Sequence, residues 1–166
     1  MNEILNFQRL FFKIRTEEGL AYSVGSSFSI PSYEGTFRAV MQTKLESTFK
    51  SIELLNKLIN EIRENPVTDE ELDVAKNTYL NSFVFNFESS KGILSQRMNL
   101  EYDGYPKDYL KNFRDNIAKV TREDVQKVAQ KYLHPDKFVI LIIGNEDGFD
   151  KPLSTLGKVN TIKLEE

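Results

Sequence analysis

Apolar positions change period twice near the start of the chain. Ile4, Leu5, Leu10, Phe11 and Ile14 recur at roughly helical spacing and stop at Gly19, the residue type expected just past a helix end, where a positive φ is needed. From there Leu20, Tyr22, Val24, Phe28 and Ile30 alternate with Ala21, Ser23, Gly25, Ser27 and Ser29, which predicts a strand with one apolar face. Arg15 therefore falls in the last turn of the helix and Tyr22 near the start of the strand. A bend at the glycine would bring the two close in space.

A second strand is predicted from Thr36 to Lys44, with Phe37, Ala39 and Met41 on one face, and Pro31, Ser32 and Gly35 supply the turn of an antiparallel hairpin. The period then becomes helical. Phe49, Ile52, Leu55, Leu58, Ile59 and Ile62 form one stripe that ends by Asn65-Pro66. Thr68-Asp69-Glu70-Glu71 matches a capping box and opens a helix whose Leu72, Ala75, Tyr79, Phe83 and Phe87 are expected in the core.

Further helical segments carry Ile93 to Leu100, then Tyr109 to Ile117 after Pro106, then Val125 to Tyr132 after a second box at Thr121. Phe138 to Ile143 is an uninterrupted apolar run closed by Gly144, which predicts a central strand buried on both faces. Val159, Thr161, Ile162 and Leu164 are expected to form a short edge strand. Two strands, consecutive helices and a closing strand indicate an α+β fold: a mostly antiparallel sheet with several consecutive helices on one face.

Composition narrows the function. At 166 residues and 40% hydrophobic content the chain reads as a single domain over 1–166. A formal charge of -3 provides no electrostatic footprint for nucleic acid or an anionic membrane, and no apolar run is long enough to span a bilayer. The chain reads as soluble, cytoplasmic or periplasmic. With no cysteine and one histidine, His134, it has no thiolate zinc site and no paired-histidine motif, so no metal is expected on this chain. The paired acids Asp69-Glu70-Glu71 and Glu123-Asp124 sit in first helical turns, where carboxylates answer capping and the helix dipole before any acid–base role.

Leu10-Phe11-Phe12-Lys13-Ile14-Arg15-Thr16-Glu17-Glu18-Gly19-Leu20-Ala21-Tyr22-Ser23 resembles the signature of the C-terminal, non-zinc half of the pitrilysin-type, insulinase-like zinc peptidases. Val67 to Leu72, Phe138 to Gly144 and Lys151-Pro152-Leu153 support the likeness. The resemblance implies one half of a clam-shell peptidase whose other half carries zinc on an inverted H-x-x-E-H motif, absent from this sequence. It implies that Arg15 and Tyr22 contact the peptide substrate opposite that metal. It also implies a missing first strand and helix, leaving an unpaired sheet edge open to a homodimer or a partner strand. The alternative is a structural or assembly module of the same fold with no active-site contribution. Alone, Arg15 could answer the helix dipole, and Tyr22 shares the apolar parity of its strand.

Overall fold

The protein is described from a computed structural model covering residues 1–29 and 35–162. It opens with an N-terminal helix, Ile4–Glu17, followed by β1 (Ala21–Ser29) and β2 (Thr36–Thr43). Five α-helices come next: α1 (Thr48–Glu64), α2 (Asp69–Phe83), α3 (Ser90–Tyr102), α4 (Tyr109–Lys119) and α5 (Arg122–Tyr132). The order confirms α+β, with the helices following an antiparallel pair. The hairpin turn residues Pro31 and Ser32, with Ile30 and Leu164, lie outside the described residues.

The N-terminal helix is wound more loosely than an α-helix, with hydrogen bonds spanning five residues; Glu18 N–H donates to Lys13 O at 3.1 Å. The winding follows from the side chains to be buried. Leu5, Leu10 and Ile14 are separated by five and then four positions, and all three are fully buried. An α-helix would turn Leu5 away from Leu10; a turn of roughly four to five residues aligns them on one side. That side packs on β1 and α1, and α1 in turn packs on α5, closing a core with Ile59, Ile62, Val67, Val125, Ala129 and Leu133.

Both capping boxes form as the sequence predicts. Thr68 Oγ1 accepts from Glu71 N–H at 3.1 Å while Glu71 returns a bond to Thr68 N–H at 2.8 Å, and Thr121 with Asp124 repeats the exchange at 3.2 and 3.1 Å. Glu71 does more than cap. Its two oxygens also take the Arg9 guanidinium, at 2.8 Å from Nε and 3.1 Å from a terminal nitrogen, which ties the N-terminal helix to the start of α2. Of the acids Asp69-Glu70-Glu71, Glu71 thus serves structure, and Asp69 pairs with Arg122 at 3.3 Å.

Three expectations change. Phe138 to Ile143 is extended but belongs to no ladder: among the described residues the sheet holds only β1 and β2. Phe138 stacks on Phe37 of β2 at 5.6 Å between ring centroids, whereas Val139, Leu141 and Ile143 are 95, 76 and 88% exposed. Apolarity on both parities asks for cover on both faces, and here only one parity meets the body of the protein. Val159 to Ile162 likewise forms no strand. The aromatic stripe of α2 also leaves the main core. Only Leu72 and Ala75 of that helix are buried, while Phe83 meets Phe87 edge-on at 5.0 Å and stacks on Phe113 at 4.3 Å in a separate cluster with α4.

Candidate substrate-contact site

The site forms where the N-terminal helix hands over to β1. Gly19 has φ +60°, and Leu20 N–H reaches back to Ile14 O at 3.0 Å, so the chain reverses tightly after the helix. β1 then runs beside the helix it has just left. Asn6 Oδ1 accepts from Ser26 N–H at 2.8 Å, and Asn2 bonds both the carbonyl and the hydroxyl of Ser26, at 3.2 and 2.8 Å. These asparagines satisfy backbone groups on the side of β1 away from β2. A Cβ at Gly25 would stand 2.9 Å from Asn6 Oδ1, so the glycine leaves room for the Asn6 amide where it meets Ser26.

Tyr22 is where strand parity fails. Ala21 pairs with Thr43 and Ser23 with Gln42, which leaves Tyr22 as the extra residue of a β-bulge. Bulges re-aim side chains, and this one does so measurably. Ala21 and Val24, three positions apart, are both buried, whereas Tyr22 is 80% exposed. Alternation alone would have placed Tyr22 with Val24 on the packed face. The end of the bulge is pinned by Thr43, whose hydroxyl donates to Leu20 O at 2.6 Å and lies 3.0 Å from the buried Ser51 hydroxyl.

Arg15 is exposed in the last turn of the helix, as its position predicts. Its guanidinium carbon lies 5.9 Å from the centre of the Tyr22 ring and 4.9 Å from that of Phe11. These distances fit cation–π contact with both rings. The two residues named from the sequence are therefore neighbours, on the solvent side of the junction. The neighbouring acids are otherwise engaged: Glu17 pairs with Lys13 at 2.8 Å and Glu18 with Lys50 at 3.1 Å. Among the described residues, no carboxylate lies within ion-pair distance of Arg15.

Phe11 escaped attention as anything but an apolar helix position. Its signal was present in the spacing, because Phe7, Phe11 and Arg15 follow one another at intervals of four on one side of the helix. Next to the bulge, Ser23 Oγ donates to Gln42 Oε1 at 2.9 Å on the polar side of the hairpin. No group of three or more His, Cys, Asp or Glu side chains that could hold a metal occurs among the described residues.

Residues 1–79, which include the whole junction, match the family model described as the peptidase M16 inactive domain. Nearly half of the chain is thus similar to the M16 inactive domain. A Helicobacter pylori protein described as the non-peptidase homolog YmxG is 31% identical over 140 residues, 83% of this chain and 32% of that protein. The crystal structure of the peptidase M16 inactive domain from Pseudomonas fluorescens superposes with a TM-score of 0.75 at 29% identity, over 82% of this chain and 33% of that one. The periplasmic protease PqqL from Escherichia coli shares the fold at a TM-score of 0.65 and 19% identity, over 80% of this chain and 15% of that one. The chain spans about a third of the length of these two relatives from Helicobacter pylori and Pseudomonas fluorescens. No helix among its described residues is long and apolar enough to cross a membrane.

Proposed function

We propose that this chain is the substrate-contacting, non-catalytic half of an M16 zinc metallopeptidase, working with a zinc-bearing half that cleaves peptides or unfolded proteins. The observation that carries this reading is the convergence of Arg15 and Tyr22 on an exposed surface, made possible by a bulge that withdraws Tyr22 from its strand's packed face. A guanidinium presents a fixed fork of donors suited to peptide carbonyls, and a phenol adds one more. Facing a metal-bound water supplied by the partner half, they would hold the substrate backbone and stabilise negative charge growing on the scissile carbonyl oxygen.

Reconstitution with a zinc-bearing M16 half tests this. Arg15→Ala and Tyr22→Phe are expected to lower kcat/KM for an unfolded polypeptide by about a hundred- to a thousandfold each, on the scale of one lost transition-state donor. Unchanged hydrolysis in both variants would refute the contact.

A second reading is favoured by the description of the Helicobacter pylori relative as a non-peptidase homolog: an assembly module of the same fold that contributes to no active site. It predicts that Arg15→Ala leaves every reconstituted activity untouched while surface changes elsewhere on the chain disrupt association with its partner. A homodimer through the open sheet edge belongs with this reading. Sedimentation of the isolated chain decides whether one forms.

A further inference from the structure

An exposed arginine is a poor recognition element unless something holds it, because its long side chain gives up much rotamer freedom when fixed. A carboxylate is the usual restraint, but it occupies the very N–H groups that a substrate would need. Here the nearby acids are engaged by Lys13 and Lys50, and the guanidinium lies against aromatic rings instead. A ring face attracts the cation through its π-electrons and leaves the in-plane N–H fork unspent.

The two rings differ in how firmly they are held. Tyr22 is 80% exposed and sits outside the strand ladder. Phe11 is half-buried on the N-terminal helix, one step of four before Arg15, and Phe7 stands behind it at 6.5 Å between ring centroids. Of the two, Phe11 also lies nearer the guanidinium, at 4.9 Å against 5.9 Å. We propose that Phe11 is a positioning residue: its ring fixes the Arg15 guanidinium beside Tyr22 so that the N–H fork stays free for peptide carbonyls. This rests on the reading of Arg15 as a peptide contact.

Side-chain NMR of Arg15, paired with binding of fluorescently labelled β-casein as an unfolded polypeptide, separates the two claims. In the wild type, Arg15 Hδ protons are expected upfield of their random-coil position with cross-relaxation to the Phe11 ring. Phe11→Leu should remove the upfield shift and weaken casein binding about two- to fivefold, the worth of an exposed cation–π contact. Phe11→Tyr, which keeps a ring, should restore both.

Absent cross-relaxation in the wild type, an unmoved Arg15 resonance in Phe11→Leu, or equal loss in the Tyr and Leu variants would overturn the positioning role. Should Phe11→Leu fail to fold, the wild-type cross-relaxation and the Phe11→Tyr variant still decide. Casein binding unaffected by Arg15→Ala, with the Arg15 resonances still responding to Phe11→Leu, would instead sink the peptide-contact reading and leave the positioning intact.

Discussion

Removing Glu71 should unfasten the N-terminal helix from the helical layer, and the size of the effect follows from the three hydrogen bonds its carboxylate accepts. Glu71 accepts from Arg9 at 2.8 and 3.1 Å and from Thr68 N–H at 2.8 Å, and the Arg9 and Glu71 side chains are only 13 and 19% exposed. Losing the cap contact costs about 1 kcal/mol. Stranding a mostly buried guanidinium adds about 2 kcal/mol, below the full cost of breaking a completely buried pair because some solvent reaches it.

Glu71→Ala is therefore expected to destabilise the chain by about 3 kcal/mol, and Arg9→Met by about 2 kcal/mol. The double variant should cost less than their sum by about 1–2 kcal/mol. Urea unfolding followed by circular dichroism, with unchanged m-values, reads all three. A coupling near zero, or a loss below about 0.5 kcal/mol for Arg9→Met, would refute the fastening.

The same bonds set a pH dependence. Burial alone would push the Glu71 carboxyl up, but hydrogen bonds from Arg9 and Thr68 outweigh it and hold the group below its ordinary value. A depressed folded value means that the contribution is present above the unfolded carboxylate range, about pH 4.3, and is lost as pH falls through the folded value. Between neutral pH and pH values below the folded value of Glu71, the wild type should therefore lose more unfolding free energy than Glu71→Gln, read by urea unfolding at each pH; equal losses would refute the linkage.

Other tests bear on separate parts of the molecule. Asp150 reaches across 101 positions to accept from Phe49 N–H at 2.8 Å and Lys50 N–H at 3.2 Å, clasping the last part of the chain to the N-terminus of α1. Asp150→Asn should cost about 1 kcal/mol and speed tryptic cleavage after Lys158, whereas cleavage at the wild-type rate would show that the clasp contributes nothing. Gly25→Ala should displace Asn6 from Ser26 and lower stability by about 1–2 kcal/mol, while an unshifted Ser26 amide resonance would contradict the close approach. Leu141→Glu should leave thermal stability within about 0.5 kcal/mol of wild type because the side chain is 76% exposed, and a larger loss would restore the expectation of a buried central strand.

Local rules made much of this protein legible. The boxes at Thr68 and Thr121 form because a threonine and an acid three residues later satisfy each other's nearest backbone donors whatever the rest of the chain does. Gly19 ends the first helix for an equally local reason, its positive φ. The inward face of β2 is also written in its alternation, since Phe37, Ala39 and Met41 point inward as the period of two requires. Likewise the resemblance singled out Arg15 and Tyr22 from a single stretch of fourteen residues.

What the sequence left undecided depends on partners distant along the chain. Alternation assigned Tyr22 to the packed face, but the register with Thr43 and Gln42 inserts one residue there and turns its ring to solvent. An apolar run from Phe138 to Ile143 declares that it could be covered on both faces; whether a ladder forms depends on a neighbouring strand whose presence no local pattern encodes. The sequence by itself determined the helices, their caps and the chemistry at the junction, because those are set within a few residues. Only the tertiary structure decided which way Tyr22 faces and that its ring meets the Arg15 guanidinium, because strand register and ring contact are properties of two segments brought together.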